Sequence, residues 1–156
     1  MKIHIGADHA GFELKEKLIP FLKEMGHEVE DHGAHEYDPE DDYPDFIFPT
    51  ANAVSSDASS RGVVIGGSGQ GEAIAANRIS GIRAVVFNGQ YEPKDGRSVP
   101  HEIVVSREHN NANILSLGAR FLDEADAKEA LQIWLQTPFS EEERHIRRIK
   151  KIERYG

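Results

Sequence analysis

The sequence contains no cysteine among its 156 residues. Disulfides, thiol nucleophiles and thiolate metal sites are therefore excluded, and a reducing compartment, the cytoplasm, is the expected location. The amino-terminal stretch MKIHIGADHAG lacks the apolar run of a signal peptide, and no segment is long and apolar enough to predict a membrane span. We therefore expect a cytoplasmic protein that has no membrane partner.

Basic residues are in the minority, because 18 Lys and Arg stand against 27 Asp and Glu, for a formal net charge of −9. This excess of negative charge disfavours nucleic acid as the main partner, although clustered arginines can still bind a small anionic substrate. The length fits one domain, residues 1–156, and such a domain can bury a core without disulfides or metals.

Short apolar runs alternate with segments of helical spacing. Strands are predicted at 2–5, 28–31, 63–65, 84–87 and 113–117, and helices at 12–25, 45–55, 72–79, 123–136 and 141–153. This alternation predicts an α/β fold in which a five-stranded parallel sheet is covered by helices on both faces. Pro20 should kink the first helix or begin a second segment. Asp45 is a candidate N-cap, and Ser140 with Glu143 a candidate capping box.

The most informative segment is Arg61–Arg78, which reads as a buried strand, a loop and a helix that opens at Glu72. The loop, with four glycines in six residues, lies between positions 66 and 71. Backbone N–H groups at such a junction bind anions. A carboxylate beside the loop adds a potential base, which suggests enolate chemistry as well as phosphate binding. The alternative is a tight turn without a ligand, since the loop matches neither the dinucleotide nor the Walker pattern.

Ligands of parallel sheets bind beyond the carboxyl ends of the strands. That edge should collect the loop Gly6–Gly11, the glycine loop and the residues that follow Phe87. Asp8 and His9 in the first loop can bind sugar hydroxyls or a phosphate. The alternative is that Asp8 only caps the first helix.

His109 and a pair of arginines are further candidates. Histidine suits proton shuttling, but His109 reaches the carboxyl edge only if the segment before it arrives from that side. Otherwise it is a surface residue. Arg144 and Arg148 are four residues apart, so they share a helix face and can hold one phosphate, unless that face is simply solvated.

A metal site can also be considered, with His32 and His35 beside Asp31 and Glu36. Their spacing matches no strong metal-binding signature, and the segment 32–42 reads as an exposed polar loop. We therefore expect no metal there.

Taken together, the motifs resemble the RpiB/LacA/LacB family of sugar-phosphate isomerases, most closely its ribose-5-phosphate isomerase B members. The matching segments follow the family's order along almost the whole chain: GADHAGFEL at 6–14, GHEV at 26–29, DYPD at 42–45, 66–83, REHNNANILSLGAR at 107–120, and Arg144-His145-x-x-Arg148.

The resemblance implies a three-layer, Rossmann-like α/β/α sandwich without metal or cofactor. It also implies a homodimer, or a dimer of dimers, with active sites built across the interface, so that the C-terminal helix 141–153 serves the phosphate site or the dimer interface. The implied reaction interconverts ribose 5-phosphate and ribulose 5-phosphate through an enediolate. The implied residues divide by role into an anion hole (Gly67, Ser68, Gly69, Gln70, Gly71), a ring-opening histidine with a neighbour (His109, Asn110), phosphate ligands (Arg120, Arg144, Arg148) and other substrate contacts (Asp8, His9, Tyr43).

Two departures from the family pattern matter. Many members carry a cysteine base where this chain has Gly66, so the chain resembles the branch in which a glutamate at the position of Glu72 is the base. The stretch 88–105 is longer than expected and shows no obvious helix, which leaves a six-carbon substrate such as allose or galactose 6-phosphate open. A non-catalytic phosphate- or nucleotide-binding module is a further alternative.

Overall fold

A computed structural model describes residues 1–155 of the chain. Strands and helices alternate along it, in the order β1 Lys2–Ala7, α1 Phe12–Glu24, β2 Glu28–Asp31, α2 Pro44–Ser56, β3 Arg61–Gly66, α3 Gln70–Ala76, β4 Ala84–Phe87, α4 Glu102–Glu108, β5 Ile114–Gly118, α5 Glu124–Gln136 and α6 Glu143–Ile152. No helix within residues 1–155 has both the length and the apolar character needed to cross a bilayer.

The five strands form one sheet in the order β2-β1-β3-β5-β4, and every neighbouring pair is parallel. The predicted five-stranded parallel sheet is therefore confirmed. From β1 the chain first adds β2 on one side and then builds the rest of the sheet on the other. The order thus reverses between β1 and β3, and the carboxyl ends of these two strands form the crevice where such sheets bind ligands.

Successive strand residues face opposite layers, as the pleat requires. Val63 and Ile65 of β3 face a core that contains Leu18 of α1 and Trp134 of α5, whereas Val64 packs in a second core with residues of α2 and α3. The continuous apolar run in this strand has a simple cause, since both of its faces are covered. The three-layer α/β/α sandwich is confirmed.

The structure corrects two predictions about helices. Helix α1 continues across Pro20, so no second segment begins there, and the alternative of a kink at Pro20 stays a prediction. Helix α4, which was not obvious from the sequence, is present and buries Ile103 and Ser106. Its three consecutive β-branched residues, Ile103, Val104 and Val105, weaken helix propensity, and burial of one face compensates for that loss.

Two predicted caps are wrong. Tyr43 is the N-cap residue of α2, and Asp45 lies in the first turn without a side-chain capping bond. Helix α6 begins at Glu143 after the N-cap Glu142. Ser140 lies too early to cap it, and its hydroxyl is instead 2.9 Å from Nδ1 of His145.

Candidate active site

The glycine loop joins β3 to α3 at the crevice between β1 and β3. Gly69, the N-cap of α3, has φ +74°, a backbone conformation that favours glycine. Helix α3 begins at Gln70, two residues earlier than predicted. Side chains from neighbouring strands hold the loop: the Ser116 hydroxyl donates to the Gly69 carbonyl at 2.6 Å, and the Asn88 amide donates to the Ser68 carbonyl at 2.9 Å. The loop is therefore fixed before any ligand binds.

Glu72 lies behind this loop and is only 4% exposed. Burial raises the pKa of its carboxyl group, and the negative charge of Asp8 adds to the rise, while a hydrogen bond from its own backbone N–H opposes it. From the sequence alone, two effects on the pKa of Glu72 oppose each other: a helix N-terminus lowers the pKa of a carboxyl group, and desolvation raises it. In the structure desolvation prevails, and a base with a raised pKa is suited to taking a proton and then returning it.

Asp8 and His9 lie next to Glu72 on the loop that follows β1. One carboxylate oxygen of Asp8 accepts from the backbone N–H groups of Ala10 and Gly11, so Asp8 fixes the loop just before α1. The N-cap of α1 is Gly11, and it carries no side-chain capping bond. Asp8 is 7% exposed and borders the cleft described below, so its position serves both the loop and a ligand.

His9 is paired with Asp41, which the sequence analysis did not single out. One Asp41 oxygen lies 2.6 Å from Nδ1 of His9 and also accepts from the His9 backbone N–H at 3.1 Å. The hydrogen bond that the His9 ring donates to Asp41 raises the pKa of the His9 imidazole, with a further contribution from the charge of Asp8. The pair therefore favours a positively charged imidazole at the cleft, suited to an anionic ligand.

Tyr43 and Arg120 border the loop on either side. A Cβ atom on Gly71 would come within 2.9 Å of the Tyr43 ring, and one on Gly67 within 3.1 Å of the Arg120 guanidinium. Glycine at both positions lets these side chains approach the backbone closely. Together these groups line one open cleft, which consists of Asp8, His9, Ala10, Tyr43, Gly67, Ser68, Gly71, Glu72, Arg120 and Phe121.

Not every predicted residue reaches this cleft. Gly69 is buried inside the loop, and Gln70 is exposed beside it. The backbone N–H of Gln70 lies 3.4 Å from the Ser68 hydroxyl. Neither residue lines the cleft described above.

His109 lies at the opposite end of the sheet. Helix α4 runs back from the carboxyl edge, and His109 is its C-cap, a few residues before β5 begins at Ile114. The condition for His109 to reach the carboxyl edge of its own chain is therefore not met. Asn110 is exposed beside it.

A second group of candidates surrounds His109 at that end. Its ring centroid is 4.4 Å from that of His145, which is 2% exposed on α6. Arg144 and Arg148 lie on the same helix and are exposed. Within one chain the predicted residues thus form two groups, the cleft residues at the carboxyl edge and the His109–α6 group at the amino edge.

Some contributors that were not among the predicted site residues are nevertheless indicated by their positions in the sequence. Asn88 directly follows β4, the position at which ligand-side residues of a parallel sheet are expected. Phe121 follows Arg120 in the same turn, and Ser116 is a polar residue within an otherwise apolar strand. Asp41 had no such signal, since it is one of several acidic residues in a long loop.

One group at the cleft has the donor types of a metal site. Ligand atoms of Asp8, His9 and Asp41 lie within 4.8 Å of one another. Asp41 favours the protonated form of His9, and a protonated imidazole has no lone pair for a metal. The chemistry of this group therefore fits anion binding better than metal binding.

Comparisons with known proteins agree with the motifs. The model of the Ribose/Galactose Isomerase family matches residues 3–152. Ribose-5-phosphate isomerase B of Mycobacterium tuberculosis is 41% identical over 156 residues, covering 99% of this chain and 90% of that protein. The protein of the same name from Escherichia coli K12 is 37% identical over 151 residues, covering 97% and 93%.

Solved structures show the same fold. Ribose-5-phosphate isomerase B of Clostridium thermocellum superposes with a TM-score of 0.88 at 42% identity, covering 99% of this chain and 97% of that one. The Mycoplasma genitalium protein of that name, with bound ribulose-5-phosphate, has a TM-score of 0.88 at 34% identity and coverages of 99% and 95%. Since the family model spans nearly the whole chain and these relatives match along most of their own length, the chain belongs to the ribose/galactose isomerase family.

Proposed function

We propose that this protein interconverts ribose 5-phosphate and ribulose 5-phosphate through an enediolate, without a metal or cofactor. The observation that carries the proposal is the buried Glu72 with its raised pKa, set directly behind an anion-binding loop. A protein that only bound phosphate would gain nothing from a desolvated carboxylate near an anion, because the two groups repel. An isomerase needs such a group to move a proton between two carbons.

The positions of the cleft residues support the following steps. Glu72 takes the proton from C2 of the open-chain aldose, and the electron pair of that bond moves toward C1 and its oxygen. The N–H groups of the loop and the Ser68 hydroxyl stabilise the negative charge that develops there. The hydroxyl proton on O2 passes to O1, and protonated Glu72 delivers the carbon-bound proton to C1, which yields the ketose. Proton transfer of this kind contributes about 10²–10⁴-fold to the rate.

The remaining predicted residues support a dimer. His109, which the family resemblance assigns to ring opening, and the phosphate ligands Arg144 and Arg148 lie at the far end of their own chain. Two copies in antiparallel association bring the His109–α6 group of one copy to the cleft of the other. Each active site then takes Glu72 from one subunit and His109 from its partner, which completes two sites per dimer.

The substrate has five carbons in this proposal. The names of the relatives and the ribulose-5-phosphate in the Mycoplasma genitalium structure support this choice. The irregular segment 88–101 borders the anion loop through Asn88, so we expect it to influence the length of sugar that the site accepts. Comparing kcat/KM for ribose 5-phosphate with those for allose and galactose 6-phosphate separates the two substrate classes.

The test is conversion of ribose 5-phosphate to ribulose 5-phosphate by purified protein in excess EDTA. The expected result is turnover that EDTA does not reduce, and that Glu72→Gln abolishes while binding of a substrate analogue persists. Activity only on six-carbon sugar phosphates would keep the isomerase but replace the proposed five-carbon substrate with a six-carbon one. Saturable binding without turnover of any sugar phosphate refutes the isomerase and favours a binding module.

A further inference from the structure

We infer that His4, Glu30 and His32 form a binding site for a divalent transition metal of the zinc type, separate from the catalytic cleft. The spacing of His32 and His35 in the sequence does not predict a metal site, and the structure brings together a different set of donors. His4 of β1 replaces His35, whose side chain is 72% exposed and faces Asp31. His4 and Glu30 thus lie on neighbouring strands, and His32 directly follows β2, with its backbone N–H bonded to the Ile5 carbonyl at 2.8 Å.

The sheet register brings these donors together. In the pairing of β1 with β2, His4 and Glu30 are direct neighbours, and His32 follows Glu30 by two residues on the same side of the strand. Ile3 and Ile5 pack in the core beneath α1, so His4 points to the opposite face of the sheet. A site carried by strands is held more precisely than one carried by a loop.

The distances suit a tetrahedral ion. His4 Nδ1 lies 2.9 Å from His32 Nε2. Glu30 Oε2 lies 3.8 Å from His4 Nδ1, and Glu30 Oε1 lies 3.7 Å from His32 Nε2. Zinc with bonds of about 2.0–2.2 Å in tetrahedral geometry separates neighbouring ligand atoms by about 3.3–3.5 Å. The two nitrogens therefore need to separate by about half an ångström, and the Glu30 side chain needs to turn so that one oxygen approaches both. One ligand atom from each of the three residues already lies within 4.8 Å of the others.

The protonation states also suit a metal. Burial lowers the pKa of both His4 and His32, which favours the neutral rings that coordinate metals. In the metal-free pair the N–H group of one ring donates a hydrogen bond to the bare nitrogen of the other ring. Binding requires that ring to carry its proton on the outward nitrogen, which is a change of tautomer without net proton release.

Access and charge complete the site. Side-chain exposure rises from 5% at His4 and 15% at His32 to 45% at Glu30, so the fourth position faces solvent. Lys2 is the competitor, since its ammonium lies 2.6 Å from a Glu30 oxygen. Lys2 also lies 3.7 Å from Glu28, which remains as its partner when a metal engages Glu30.

The test uses tag-free, full-length protein titrated with ZnCl₂ by calorimetry, and with Co²⁺ followed by visible absorption. We expect one metal per chain. His32→Gln and Glu30→Gln should each weaken binding by at least about tenfold, the size of effect that changes near a metal site produce. Lys2→Met should tighten binding, because it removes the competing cation. His101→Ala, at an exposed histidine of segment 88–101, is the matched control and should bind as the parent does.

Two outcomes overturn the inference. The first is binding that is unchanged in His32→Gln and Glu30→Gln, or absent in the parent protein. The second is binding that is lost in His9→Ala and retained in His32→Gln, which assigns the metal to the Asp8–His9–Asp41 group. Circular dichroism of each variant checks that the fold is kept. Because Glu30 is partly exposed, Glu30→Gln is the substitution least able to disturb the fold.

Discussion

The Glu72 carboxylate fills the space into which any side chain at position 66 would project. A Cβ atom on Gly66 would overlap both carboxylate oxygens of Glu72. Glycine at the end of β3 and glutamate in the first turn of α3 are therefore one structural unit. A side chain at 66 and the carboxylate of Glu72 in its observed position exclude each other, which supports the proposed role of Glu72 as the base in a chain that has no cysteine at 66.

Gly66→Ala should destabilise the protein and abolish turnover, because the methyl group displaces Glu72. Overpacking of this kind costs about 1–3 kcal/mol, which urea denaturation measures. The double variant Gly66→Ala with Glu72→Ala should regain the lost stability and remain inactive. If the double variant is no more stable than Gly66→Ala, the overlap with Glu72 is not the cause.

Glu72→Gln should stabilise the folded protein at neutral pH while it removes activity. The pKa of Glu72 is raised in the folded state, so its contribution to stability is complete below the unfolded-state pKa of about 4.3 and is lost as the pH rises through the raised value. Neutral glutamine avoids that loss. Urea denaturation of both proteins at pH 4 and pH 7 should show a difference only at pH 7. An equal difference at both values would indicate a cause other than ionisation.

The parts of the site that are local in sequence were predictable. The parts that depend on the path of a long loop or on the direction of a helix were not. The β3–loop–α3 unit lies within Arg61–Arg78, so its order alone indicates an anion site beside Glu72. The pairing of His9 with Asp41 joins residues 32 positions apart, across a loop whose path no periodicity predicts. The position of His109 depends on the direction of α4, a helix whose β-branched residues hid it from pattern analysis.

Asp41→Asn should weaken substrate binding in a pH-dependent way. Asp41 raises the pKa of His9, so in the parent protein the imidazole keeps its positive charge to a higher pH. In the variant that charge is lost nearer the ordinary pKa of about 6.5, and KM should begin to rise at a lower pH while kcat changes less. Asp38→Asn in the same loop is the control, because the Asp38 side chain accepts only from the nearby backbone N–H of Glu40. A similar KM profile in both variants would exclude a role for Asp41 through His9.

Mixing two inactive variants tests the proposed sharing of the active site between two subunits most directly. Glu72→Gln and His109→Ala should each be inactive alone. After subunit exchange, half of the dimers are mixed, and each mixed dimer holds one site with both residues intact, so activity should return to about one quarter of the parent value. Mixing Glu72→Gln with a variant altered in the same half of the site, Ser68→Ala, is the control. In that mixture no site has both an intact Glu72 and an intact Ser68, because both residues of any one site come from the same chain. Recovery in the first mixture alone supports sites built from two chains, whereas no recovery in either, with exchange verified by mass spectrometry, would mean that His109 does not act across the interface.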